Sequence, residues 1–175
     1  IKMLDNGLIY AGREGVALTW MDAVVDGKPV TPRTGCAVEI NGLWYNAIMF
    51  SIEMAKLAKD LEFVDSWEPL TKTFPATFKE TFWSKEMGYL ADFVNGDYKN
   101  FQVRPNMMIA VSLPYVPISE KIRQLVLKKT CEELLTEKGI RTLSPNDPEY
   151  KGHYQGYYKS YNTDNNRFYN MLLQS

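Results

Sequence analysis

Over the first 37 residues apolar and polar positions follow no sustained period, and glycine at 7, 12, 15, 27 and 35 with proline at 29 and 32 interrupts every run. Breakers at that density exclude long helices and predict loops and short strands, with Asp26-Gly27 as a turn. From Glu39 the pattern changes. Ile40, Leu43, Trp44, Ala47, Ile48, Met54, Ala55, Ala58 and Leu61 recur at helical spacing, which predicts an amphipathic helix of about five or six turns. A second helix is predicted from Asp65, with Glu68 completing a capping box and Leu70, Phe74, Phe78 and Phe82 down one face. Pro75 is expected to kink or interrupt it, because proline removes a backbone donor.

Tyr89 to Val94, ended by Asn95-Gly96, reads as a short β-hairpin. Arg104-Pro105 then introduces Met107–Val111, apolar on every side and hence a buried helix. A further helix is predicted from Ser119 to Leu135, with Ile122, Leu125, Val126, Leu134 and Leu135 inward and Gly139 as its cap. The sum is an all-α architecture with long loops and one short hairpin. Residues 1–175 read as a single domain, with 1–37 a loop-rich segment and 150–175 an irregular tail carrying Tyr150, Tyr154, Tyr157, Tyr158, Tyr161 and Tyr169.

Composition narrows the class. Hydrophobic residues at 45% and charged residues at 23% are ordinary for a folded globular domain, which argues against disorder over most of the length. Lys and Arg (20) nearly balance Asp and Glu (21), so neither a nucleic-acid-binding face nor an acidic tail is indicated. No apolar run reaches the roughly 18–20 residues that span a bilayer, so no membrane partner is expected. Two cysteines, Cys36 and Cys131, with no CxxC and a single histidine speak against a zinc cluster or disulfide scaffold. They suit a reducing, cytoplasmic compartment. The chain opens at Ile1 without a methionine, and we read it as a cut from a longer protein.

The candidate chemistry is concentrated early. Asp22 stands behind Trp20-Met21, Arg33 lies in a proline-stiffened loop, and the first helix opens with Glu39, Trp44 and Tyr45. These are the groups of a sugar pocket: carboxylates for hydroxyls or proton transfer, an arginine to grip oxygens, and aromatic faces for C–H bonds. Trp20 and Met21 are expected to desolvate the Asp22 carboxyl and tune it as an acid. Each has a plainer role open to it. Asp22 could end a turn, Glu39 could answer the helix dipole, and Trp44 could be core. Arg104 opens the buried Met107–Val111 helix and would set a charge at a cavity mouth. His153 has no nucleophile elbow beside it, so a triad is not indicated.

The linked motifs Leu18-Thr19-Trp20-Met21-Asp22-Ala23, Thr31-Pro32-Arg33 and Val38-Glu39-Ile40-Asn41-Gly42-Leu43-Trp44-Tyr45-Asn46-Ala47, followed by Arg104-Pro105-Asn106 and Gly139–Pro145, resemble the glucosidase domain of glycogen-debranching enzymes (amylo-α-1,6-glucosidase). The resemblance implies an (α/α)6 toroid like that of the glucoamylases, of which four helices here would supply roughly a third. It implies hydrolysis by inversion on an α-glucan such as glycogen or a limit dextrin, with no metal or organic cofactor. Asp22 would be the general acid, with Trp20, Arg33, Glu39, Trp44, Tyr45 and Arg104 around the substrate. After Tyr150–Gly156 the chain departs from the family pattern, and the second catalytic carboxylate is expected beyond Ser175. A non-catalytic glycan-binding or assembly fragment, or a toroid hydrolase of another α-glucoside, is the alternative. Helix faces left uncovered in a partial ring are expected to drive self-association.

Overall fold

The computed structural model describes residues 1–152; the tail tyrosines from Tyr154 onward and His153 lie outside the described residues. The breaker-rich start folds as predicted into loops and two-residue strands. β1 (Lys2–Met3) pairs antiparallel with β2 (Ile9–Tyr10), and β3 (Val24–Val25) with β4 (Lys28–Pro29) across the Asp26-Gly27 turn. β5 (Cys36–Ala37) leads directly into α1 (Val38–Ala58). Asn41, fully buried, fastens this start: its Oδ1 accepts from the Ile9 N–H at 2.7 Å, and its Nδ2 donates to the carbonyls of Ile9 and Ala37.

α1 ends at Lys59, which adopts a left-handed conformation (φ 60°), and α2 (Leu61–Phe82) follows at once. Its N-cap is Asp60, whose carboxylate accepts from the Phe63 N–H at 3.0 Å, not Asp65 as the capping-box pattern suggests. An aspartate able to satisfy an orphan N–H five residues earlier starts the helix there. Pro69 and Pro75 both lie inside α2, and the helix runs through them. Packing overrides the proline penalty of about 3 kcal/mol: Phe74, Phe78 and Phe82 are fully buried on either side of Pro75, and each buried ring contributes about 1.5–3 kcal/mol.

The two helices fold back on each other. Tyr45 stacks on Phe74 with centroids 5.3 Å apart, and Trp44 meets Trp67 edge-on at 5.7 Å. Ile48, Ile52, Ala55 and Val64 close the far end. The hairpin signal near Asn95-Gly96 is real but shifted: Asn95 ends β6 (Phe93–Asn95), and Gly96-Asp97 forms the turn into β7 (Tyr98–Asn100). β5 joins β6 to make a three-stranded sheet, Cys36 opposite Val94 and Ala37 opposite Phe93. Gly35 permits the approach, since a Cβ there would sit 2.2 Å from the Val94 carbonyl oxygen.

α3 (Asn106–Val111) is the predicted buried helix, and α4 (Glu120–Leu134) the predicted fourth one, capped by Ser119. Gly139 does not cap α4; it belongs to β9 (Gly139–Ile140), paired with β8 (Leu135–Thr136). The fold is therefore helical with small antiparallel sheets rather than all-α. The sheets are two or three residues long, too short to show an alternating pattern in sequence. On α1, Leu43, Phe50, Met54 and Leu57 form an apolar stripe that remains exposed.

α1 and α3 cross closely at Gly42. A Cβ there would fall 2.9 Å from the Ala110 Cα and 3.0 Å from its Cβ. Helix propensity favours alanine by about 1 kcal/mol, but forcing the helices apart costs about 1–3 kcal/mol. Gly42→Ala is accordingly expected to lower the melting temperature followed by circular dichroism. A rise would show that the crossing yields freely.

Candidate functional site

The sheet creates the site. Arg33 precedes β5, Glu39 follows it in the first turn of α1, and Asp92 immediately precedes β6, the strand that β5 joins. Pairing β5 with β6 therefore brings three charged side chains together, and the Val38 N–H donates to the Asp92 carbonyl at 3.0 Å to close the corner. All three are buried: Arg33 is 4% exposed, Glu39 1% and Asp92 3%.

The geometry is that of a fork between two carboxylates. Arg33 donates from Nη1 and Nη2 to the two Glu39 oxygens at 2.5 and 2.7 Å. Its Nε donates to Asp92 Oδ2 at 2.7 Å, and Nη2 also reaches Asp92 Oδ1 and the Asp92 carbonyl. Burial alone disfavours the guanidinium charge. The hydrogen bond with Glu39 and the negative charges of Asp92 and Glu39 overcome it, holding the Arg33 pKa above the ordinary arginine value. Such a bidentate pairing is what makes a buried ion cluster tolerable.

The cluster extends toward Asp22. Asn106, fully buried at the start of α3, donates through Nδ2 to Asp92 Oδ1 at 2.6 Å and to Met21 Sδ at 3.3 Å. Its Oδ1 accepts from the Trp20 indole Nε1–H at 2.8 Å. On the other side of Asp22, the Val30 N–H donates to the Ala23 carbonyl at 2.9 Å. Thr19 and Met21 point inward while Trp20 and Asp22 remain exposed, so Trp20 and Met21 do not bury the Asp22 carboxyl as expected. The inward–outward alternation of adjacent side chains along this stretch is the reason.

Beside the cluster opens a cleft of about 480 Å3 lined by Val30–Arg33, Asp92, Phe93, Tyr98, Asn100, Gln102, Arg104 and Asp147–Glu149. Its walls combine two aromatic rings with amide, guanidinium and carboxylate groups, the repertoire for hydroxyl-rich ligands. Arg104 is 7% exposed. It donates to the Thr142 carbonyl and to Gln102 Oε1, while its buried Nε has no hydrogen-bond partner among the described residues. Burial pushes the Arg104 pKa down, Asp92 opposes that, and the like charge of Arg33 adds to it. Gln102 also donates to Glu149 and Asp147.

Of the residues singled out in sequence, Arg33 and Arg104 line this cleft and Glu39 sits behind it. Trp20 and Asp22 belong to the adjoining loop. Trp44 and Tyr45 are elsewhere. Tyr45 is core against Phe74, and the Trp44 indole donates to the Gly7 carbonyl at 3.2 Å while its ring packs on Trp67. Asp92 escaped the sequence reading, although a lone charge in the apolar run Leu90-Ala91-Asp92-Phe93-Val94 marks a buried carboxylate in need of a partner. Phe93, Tyr98, Asn100, Gln102 and Glu149 carried no such signal. Among the described residues no group of three or more His, Cys, Asp or Glu side chains could hold a metal ion, and no helix is long and apolar enough to cross a membrane.

The family model described as amylo-alpha-1,6-glucosidase matches residues 1–170. The chain is also 28% identical over 191 aligned residues to the glycogen debranching enzyme of Saccharomyces cerevisiae, covering 86% of this chain and 12% of that protein. The chain thus spans about an eighth of the length of that curated relative.

Proposed function

This chain belongs to the amylo-alpha-1,6-glucosidase family, and we propose that it forms part of the catalytic ring of a glycogen-debranching glucosidase. In this reading the full enzyme hydrolyses α-1,6-linked glucose stubs on an α-glucan with inversion. α1 to α4 are successive helices of an (α/α)6 toroid, and the exposed stripe of Leu43, Phe50, Met54 and Leu57 is the face that takes neighbouring helices, or a second copy when the chain is alone. The polar cleft floored by Arg33 and Asp92, next to the Asp22 loop, is the observation that carries the reading.

Asp22 protonates the leaving glycosidic oxygen. Inversion requires a second carboxylate about 6.5–9.5 Å away to activate water. Glu39 and Asp92 are unsuited to that role, since both are buried and committed to Arg33. In this reading the base comes from sequence beyond Ser175, as the family resemblance implies. Arg104 and Gln102 grip sugar hydroxyls, and Phe93 and Tyr98 offer ring faces.

The test pairs binding with turnover. An α-1,6-branched oligosaccharide titrated into the labelled 175-residue chain is expected to shift resonances of Tyr98, Gln102 and Phe93. The same preparation, freed of host glucosidases, is expected to release no glucose from a branched limit dextrin. Glucose release that disappears in Asp22→Asn would place a complete acid–base pair inside this chain and overturn the assignment of the base. Absence of both binding and turnover, with the fold intact, would count against the cleft as a glucan site.

A further inference from the structure

We infer that Asn106 is a positioning residue: it docks the loop bearing Asp22 onto the buried Arg33–Glu39–Asp92 cluster and so fixes where the acid stands. The inference rests on the general-acid reading of Asp22 proposed above.

The chemistry of the partners leaves asparagine as the fitting adaptor. The Asp92 carboxylate can only accept hydrogen bonds, and the Trp20 indole N–H can only donate. A carboxamide presents a donor to the first and an acceptor to the second, and Asn106 is oriented that way, at 2.6 Å and 2.8 Å. Turning the amide over would set its oxygen against the carboxylate and its NH2 against the indole N–H. Aspartate at 106 would bring two carboxylates face to face. Asp92 is in turn held by Arg33, so the orientation of Asn106 is inherited from the ion cluster.

The consequence falls on Asp22. Trp20 and Met21 both touch Asn106, immediately before the acid. Ala23, immediately after it, is tied to Val30 at the cleft wall. Asp22 thus lies between the anchor on α3 and the β3–β4 hairpin that runs on into the cleft wall, though its own carboxylate stays exposed. Holding a catalytic group by locked neighbours is how a site keeps its geometry, and displacement of about 1 Å can cost on the order of 10²-fold in rate.

Two measurements test this separately from the glucosidase reading. In the 15N-labelled chain, the Trp20 indole resonance, assigned by its loss in Trp20→Phe, is expected to exchange slowly with solvent. In Asn106→Ala it is expected to exchange as fast as a free indole. In the full-length enzyme, Trp20→Phe removes the N–H from a residue that is 38% exposed, so the core stays intact. There kcat is expected to fall by on the order of 10²-fold, with KM changed much less. Combining Trp20→Phe with Asn106→Ala should lose no more than the larger single effect, since both remove one link. If Asn106→Ala fails to fold, Trp20→Phe carries the test by its indole assignment and its kcat. Fast exchange of the Trp20 indole in the wild type, or unchanged kcat in Trp20→Phe, overturns the positioning role. Slow, Asn106-dependent exchange in an enzyme whose activity survives Asp22→Asn would instead leave the docking intact and remove the acid it serves.

Discussion

Asp22→Asn in the full-length enzyme is expected to lower release of α-1,6-linked glucose by about 10²–10⁴-fold, the usual worth of general-acid catalysis, while sugar binding stays nearly unchanged. The amide keeps the shape of the carboxyl and has no proton to give the leaving oxygen. The surroundings make this a clean substitution. Asp22 is exposed between an inward Met21 and an Ala23 tied by its backbone carbonyl, so asparagine neither opens a cavity nor strands a buried partner. The assay is glucose release from a limit dextrin, set beside the affinity for the same oligosaccharide and the melting temperature. A substrate with a better leaving group should recover part of the rate, because it needs less protonation. Wild-type turnover on a poor leaving group would remove Asp22 from the acid role.

What the primary structure disclosed, and what it concealed, follows from the range of the interactions. α1 and α4 announced themselves by period, and α3 by its unbroken apolar run, because burial of a helix face is written into local spacing. The start of α2 was misplaced, since two acidic caps compete there and the choice of Asp60 over Asp65 depends on where Lys59 turns the chain. Pro75 does not interrupt α2 for a related reason: Phe74, Phe78 and Phe82 hold the helix together from outside. Arg33 in its proline-stiffened loop and Glu39 at a helix start could each be singled out. That they meet Asp92 could not, because the contact is made by the β5–β6 pairing across 59 residues of sequence separation. The same limit applies to the cleft, whose walls come from the loop after β4, the β6–β7 hairpin and the Asp147–Glu149 turn. Trp44 illustrates the opposite case. An aromatic in the first turns of a helix is a fair sugar platform in sequence, yet the half-buried Trp44 ring packs edge-on against Trp67 and its indole donates to the Gly7 carbonyl, away from the cleft.

Arg33→Met is expected to be the most damaging single change to the fold. It leaves Glu39 and Asp92, at 1% and 3% exposure, buried as two carboxylates with no guanidinium hydrogen-bonded to them, Arg104 acting on Asp92 only through space. Removing one partner of a buried ion cluster costs about 3–5 kcal/mol, against the roughly 5–15 kcal/mol that holds a typical domain together. Urea unfolding at neutral pH should therefore show a midpoint far below that of the wild type, or no folded baseline. Two controls separate charge from shape. Arg33→Lys keeps the charge but loses the fork that reaches both carboxylates at once, so it should fall between wild type and Arg33→Met. Adding Glu39→Gln to Arg33→Met removes one of the two stranded charges and should recover part of the loss. Acid should do the same by protonation. As the pH falls toward about 4, where carboxylates take up protons, a folded state holding stranded carboxylates binds more protons than its unfolded chain, so the gap to wild type narrows. The damage also reaches the cleft and the acid loop, because Asp92 released from Arg33 no longer orients Asn106, and the slow exchange of the Trp20 indole should be lost with it. An Arg33→Met chain as stable as wild type at neutral pH, with that indole still protected, would show that the ion cluster supports neither the fold nor the loop.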